Sequence, residues 1–121
     1  MSGRGTDTRR RAERRGRRAE RLAEWALRLK GWRVLARRHR NGAGEVDLIV
    51  RRGGTLAFVE VKARASVEAA LDAIGYTAQR RIRAAGEVWL SRHPAHADCG
   101  WRCDVVVVRP RRWPVHLADV W

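Results

Sequence analysis

The chain has 121 residues, with 27 Lys+Arg against 13 Asp+Glu and a formal net charge of +14. That length suits one domain able to bury about 65% of its extended-chain surface. Residues 1–40 hold 15 of the basic residues and 4 of the acidic ones, so the positive field lies at the N-terminal end. Such a field attracts polyanions, phosphate backbones above all. No apolar run approaches the roughly 20 residues of a membrane-spanning helix, which argues against a membrane partner. The opening MSGRGTDTRRRAERRGRR lacks the hydrophobic region of a secretory signal. Two cysteines in a chain of this kind point to a reducing, cytoplasmic setting without a structural disulfide.

In chain order, residues 1–15 read as a basic, mobile arm. From Ala19 the residues Ala19, Leu22, Ala23, Ala26 and Leu27 recur at helical spacing, and Gly31 supplies a stop. WRVLARR, GEVDLIVRR and TLAFVEVKAR read as three successive strands, the last two joined by Gly53-Gly54 as a hairpin turn. Ser66 could cap a short helix that Gly75 interrupts. TAQRRIRAAGEVWLSRH reads as a second long helix with Ala78, Ile82, Ala85 and Trp89 on one face. WRCDVVVVR is a fourth strand whose valine run predicts burial on both faces. The order is α-β-β-β-α-β, and a helix between strands three and four predicts a parallel crossover in a four-stranded mixed sheet.

The hairpin holds the chemistry. Alternation along the strands puts Glu45, Asp47 and Ile49 on one face of the second strand, and Phe58, Glu60 and Lys62 on one face of the third. A two-residue turn pairs Arg52 with Thr55, which sets Asp47 opposite Glu60 and Glu45 opposite Lys62. Opposed Cβ atoms lie about 5 Å apart, close enough for two carboxylates to share one divalent ion. Like charges opposed in a sheet need compensation, and Mg²⁺, or Mn²⁺, suits two carboxylates plus a phosphate oxygen. The plainer alternative pairs Glu45 with Lys62 and leaves Asp47 and Glu60 facing water.

Lysine usage adds weight to chemistry. Of the 27 basic residues only Lys30 and Lys62 are lysine. A compact ammonium can orient a water beside a metal in a way that a guanidinium cannot readily match.

GEVDLIV followed by FVEVKAR resembles the hairpin of the PD-(D/E)XK nucleases. The wider frame GRRAERLAEWALRLKGWRVLARR, GEVDLIVRRGGTLAFVEVKAR and RCDVVVV resembles the bacterial YraN-like family, itself similar to archaeal Holliday junction resolvases. The resemblance implies an α/β, restriction-endonuclease-like core flanked by helices, forming a single nuclease-like domain over residues 16–121. It implies that Asp47, Glu60 and the Val61 carbonyl hold the metal, that Lys62 positions the attacking water, that Glu20 completes the site from the first helix, and that Glu45 supports it. It also implies a homodimer and DNA as substrate, including branched DNA. Phosphate contacts are expected from Arg14, Arg17, Arg18, Arg21, Arg40 and Arg64. Where relatives open the second long helix with a lysine, this chain has Gln79 and Arg80 to serve instead. Where relatives read R-F-D, it has Arg102-Cys103-Asp104.

Other constellations carry less. HPAHADCGWRC brings His93, His96, Cys99 and Cys103 together in sequence, but at a spacing foreign to zinc fingers and ribbons, so zinc is not expected. His39 and His116 read as structural. Trp25, Trp32 and Trp89 fit the core or its edge, and Trp113 and Trp121 read as seals on it. Three functions follow: a Mg²⁺-dependent endonuclease acting on DNA, a nucleic-acid-binding module on the same fold, and a basic, ribosome-associated interaction protein.

Overall fold

The fold was read from a computed structural model that describes residues 3–121, with side chains from Thr8 onward. Helix α1 (Gly3–Leu29) leads into strands β1 (Arg33–Asn41), β2 (Gly44–Arg52) and β3 (Thr55–Ala63). A short helix α2 (Val67–Asp72), the long helix α3 (Tyr76–Ser91) and a single 3₁₀ turn at Pro94–His96 follow, and the chain ends on β4 (Gly100–Val108) and β5 (Val115–Leu117). The α1 helix starts well upstream of Ala19, because the Arg, Ala and Glu that precede it are good helix formers even without an apolar stripe. Ser66 caps α2 as expected, its Oγ accepting from the Ala69 amide at 3.1 Å. Among the described residues no helix is long and apolar enough to cross a membrane.

The sheet has five strands in the order β1-β2-β3-β4-β5. The first three are antiparallel, β3 and β4 are parallel across the helical crossover, and β5 adds an antiparallel edge. The expected mixed sheet is therefore present with one strand more than the sequence shows. A three-residue strand carries too little periodicity to read.

Each face of the sheet is covered by one long helix. Ala19, Ala23 and Leu27 of α1 pack on Leu48, Val50, Ala57, Val59, Val61 and Val106. Ile82, Ala85 and Trp89 of α3 pack on Val46, Ile49, Phe58, Cys103, Val105 and Val107. That explains the valine run, whose members face both helices in turn. Trp32 and Trp89 are buried, but Trp25 and Trp113 are 63% and 60% exposed, against expectation. The α1 face that meets the sheet is built from alanines with Leu27, and Leu22, Trp25 and Leu29 turn outward. Trp121 is half-buried against the α3-side core, so it does seal the end of the sheet.

One buried charge sits within this frame. Asp104 on β4 is fully buried and accepts from Arg102 Nε (3.0 Å) and Nη2 (3.1 Å), His116 Nε2 (2.7 Å) and the Asp119 amide (2.9 Å). Burial alone would raise its pKa, but these donors overcome it and hold the carboxyl below its ordinary value. His116 is thereby structural, and so is Cys103, buried in the α3-side core.

The α3 helix lies so close to β3 that a Cβ on Gly86 would come within 2.4 Å of the Phe58 ring. Gly86→Ala should cost about 1–3 kcal/mol by overpacking and lower the melting temperature accordingly. Phe58→Leu should lose stability by itself yet recover part of the Gly86→Ala cost in the double variant, a coupling measurable by denaturant titration.

Candidate functional site

The hairpin turn sets the register that places the site. Gly53 adopts a left-handed φ of +59°, which a two-residue hairpin turn favours. The β2–β3 ladder then runs from Arg52↔Thr55 to Leu48↔Val59. One step further the ladder gives way. The Val61 amide donates not to a backbone carbonyl but to Asp47 Oδ2 at 2.8 Å. The strands part around the two carboxylates, so Asp47 and Glu60 line both a cavity of about 530 Å³ beneath α1 and a smaller one of about 250 Å³ beneath α3.

On the other side of β2 the same point is irregular. The β1–β2 pairing passes from Arg37↔Leu48 to His39↔Val46, skipping Arg38 and Asp47, and Arg38 has a left-handed φ of +48°. Strict alternation of the β2 side chains breaks there: Val46 and Ile49 both pack toward α3, while Leu48 packs toward α1. Glu45 and Lys62 do not meet, since Lys62 lines the α1-side cavity whereas Glu45 keeps the face of Ile49. Glu45 lies on the α3 side, pairs with Arg40 at 3.1 Å and is half exposed. The plainer sequence reading fails in both its parts, since Glu60 is only 14% exposed and Lys62 Nζ lies 3.5 Å from Glu60 Oε1.

The carboxylate pair is short of positive charge. Burial, reinforced by the charge of Asp47, pushes Glu60 up to about 8. Burial also raises Asp47, against the lowering effect of the Val61 amide. Both carboxyls are thus pushed toward the protonated form, and a proton on the pair belongs to both together. Glu20 reaches the same cavity from α1 and adds its own charge to Asp47's surroundings. Its carboxylate is engaged by Arg38, Nε to Oε2 at 2.6 Å. As they stand, no three His, Cys, Asp or Glu among the described residues converge on one point that could hold an ion.

Asp47, Glu60, Val61, Lys62 and Glu20 are thus brought together as expected, and Glu45 stands to one side. Arg64 lines the same cavity, Arg17 and Arg21 line an adjoining one, and Arg18 lines a third. Arg14 is exposed on α1 outside these cavities. Gln79 is drawn off, its Nε2 donating to the Ile74 carbonyl at 3.0 Å to close the turn before α3. Arg80 lies over the Tyr76 ring at 5.7 Å. The residues that sequence reasoning missed are Arg15, Arg38 and Arg81. Arg81 meets the α3-side cavity because β2 docks hard on α3, where a Cβ on Gly44 would strike the Arg81 carbonyl oxygen at 2.6 Å. Its place one residue before the core-facing Ile82 was the available signal. His93 and His96 stack on Trp89 at 3.9 and 5.6 Å, and Cys99 is buried in the α3-side core.

The sequence model of the uncharacterised protein family UPF0102 matches residues 19–108. A UPF0102 protein of Chelativorans sp. is 54% identical over 94% of this chain and 92% of its own length. One of Mesorhizobium japonicum is 51% identical over 98% and 95%, and one of Sinorhizobium medicae 50% over 96% and 95%.

Glu60 provides a test in stability. Its folded pKa of about 8 stands above the ordinary 4.5, so the folded state is favoured while Glu60 is protonated. Its contribution is complete below the ordinary value and is lost as pH rises through about 8. In the absence of divalent ions the melting temperature should fall between pH 5 and 9. Glu60→Gln should flatten that slope and melt higher than wild type at pH 9.

Proposed function

We propose that this chain, which belongs to the uncharacterised protein family UPF0102, is a metal-dependent nuclease of the PD-(D/E)XK kind that hydrolyses phosphodiester bonds in DNA. One observation carries this reading: a buried, under-compensated carboxylate pair lies in the floor of an arginine-lined groove. A protein selected only to bind phosphates gains nothing from two carboxylates that repel them, and the sheet bears their desolvation for no structural return.

The donor set fits a hard divalent cation. Two carboxylates and a nearby backbone carbonyl, all oxygen, match the few protein ligands that Mg²⁺ takes while keeping its waters. When bound, such an ion would supply Lewis acidity and a water of lowered pKa. The chain's own residues account for the rest. Glu60 must release its proton for Asp47 and Glu60 to act as ligands together. Lys62, 3.5 Å from Glu60, is placed to orient a water and to offset charge building on the phosphate. Arg15 and Arg64 flank the cleft and would hold the phosphates on either side of the reacting one.

A second reading, binding without cutting, is favoured by one contact. Arg38 engages the Glu20 carboxylate at 2.6 Å, and no third acid joins Asp47 and Glu60 at one point among the described residues.

Two measurements separate the readings. Purified protein should cut at least one member of a panel of linear, flap, splayed and four-way DNAs with Mg²⁺ or Mn²⁺ and not with EDTA. Asp47→Asn and Glu60→Gln should abolish cutting while metal-free binding holds or rises, and Lys62→Arg should bind normally and cut poorly. Absence of cutting on every substrate would favour the binding module. Separately, Mg²⁺ should raise the melting temperature at pH 8.5 more than at pH 6, since ion binding displaces the Glu60 proton. Asp47→Asn should remove that rise.

A further inference from the structure

Trp25 lies on α1 with its indole in a cavity of about 480 Å³ that adjoins the carboxylate cleft, the two sharing Glu20. Arg17, Arg21, Arg28 and Arg37 rim that cavity, and Leu48 contributes to its wall. Three of the other five tryptophan rings have ring or guanidinium partners. Trp32 is covered by Arg52 and Arg102 at 4.6 and 5.3 Å, Trp89 by His93 at 3.9 Å, and Trp101 by Phe58 at 5.4 Å. Among the described residues neither a ring nor a guanidinium lies on Trp25, which is 63% exposed.

The charges around it are arranged for a phosphate chain. Glu24 engages Arg28 at 3.1 Å and Arg37 at 2.6 Å, which holds those two side chains against the helix. Arg17 and Arg21 make no ion pair among the described residues, so their donors stay open to solvent. On the other side the cleft shares Arg15 and Arg64 with a further cavity that adds Arg18 and Arg109, a stretch with no aromatic side chain. The groove therefore has one arm whose charged side chains are all arginines and one arm of arginine with an open indole.

We infer that Trp25 is a stacking platform for an unpaired base, so that the DNA bound here is a duplex that opens into a single strand beside the carboxylate cleft. Inside a duplex both faces of each base are already stacked, so an open indole is of use to a base that has left the helix. The arm with arginines and neither acid nor aromatic side chain suits the duplex, which presents phosphates to exposed arginines. Trp25 follows Glu20 by five residues, about 7.5 Å along the helix axis, or roughly two stacked nucleotides. Leu22 and Leu29, 42% and 68% exposed on the same side of α1, extend the apolar strip along which a second base can lie. A docked protein would also cover such a strip, but the open arginines beside it favour a polyanion.

This inference rests on the nuclease reading for the meaning of the cleft, so its test is run in EDTA, where cutting plays no part. Fluorescent DNAs of one sequence are prepared as blunt duplex, splayed duplex and duplex with a single-stranded tail, with 2-aminopurine at the first unpaired position. Wild type should quench the 2-aminopurine on binding. Trp25→Ala should abolish the quench and weaken splayed and tailed DNA about ten-fold, while blunt duplex binds as before. Trp25→Phe should keep most of both effects, and Trp113→Ala, an equally exposed tryptophan outside these cavities, should change neither. Equal loss on all DNAs in Trp25→Ala, or no loss on any, overturns the inference. So does a variant that binds every DNA normally but loses self-association in sedimentation, which would make the strip a contact between copies. A quench that persists in a protein that never cuts with any metal sinks the nuclease reading and leaves the platform standing.

Discussion

The hydrogen bond from the Val61 amide to Asp47 Oδ2 is the contact on which the candidate site depends. A regular antiparallel ladder would give that amide a backbone carbonyl and keep the strands paired. Because a side chain takes it instead, β2 and β3 separate just where both carry a carboxylate. The opening is reached from both faces of a sheet that is otherwise sealed by a helix on each side. Removing the carboxylate would orphan a buried amide, so the chemistry of Asp47 and the shape of the cleft are one feature rather than two.

A comparison within the same molecule shows what is unusual about this pair. At Asp104 the fold surrounds a buried carboxylate with an arginine, a histidine and a backbone amide, and its pKa falls. One residue past Val59, the partner of Asp104 on the neighbouring strand, Glu60 is given a single lysine and a second carboxylate, and its pKa rises. Both sites lie in one arginine-rich chain, so the shortage at Glu60 is local and does not come from a lack of cations. Donors that would relieve it are turned elsewhere: Arg38 to Glu20, and Arg40 to Glu45.

Much of this was legible in the sequence, and the reasons differ from residue to residue. The Gly53-Gly54 turn admits few geometries, so the register followed from it directly and brought Asp47, Glu60 and Lys62 to one cleft. The valine run announced a strand covered on both faces. The parting of Glu45 from Lys62 was not legible. The β2–β3 ladder ends at Leu48↔Val59, and beyond it Lys62 lines the α1-side cavity while Glu45 lines the α3-side one, an opening with no mark in composition. Gln79 was misplaced because a glutamine at a helix start can cap a turn as readily as it can meet a phosphate. On α1 two apolar stripes overlap, one of alanines with Leu27 and one of Leu22, Trp25 and Leu29. Periodicity alone could not say that the smaller residues would face the sheet.

The arrangement of charge also bears on the order in which ligands would arrive. The groove arginines are exposed, and their influence on the buried pair is screened over a distance comparable with the Debye length of about 8 Å at physiological salt. They draw phosphate from solution without relieving Asp47 and Glu60, as the raised Glu60 pKa records. A phosphate settling over the cleft alone would deepen the shortage, since it brings further negative charge to a pair already holding on to a proton. A divalent ion would reverse both effects, discharging the pair and offering the phosphate a partner. On the nuclease reading, ion and DNA each improve the site for the other, and by linkage the coupling must be equal in both directions. The arginines recruit the polymer, while the carboxylates make its close approach conditional on the metal.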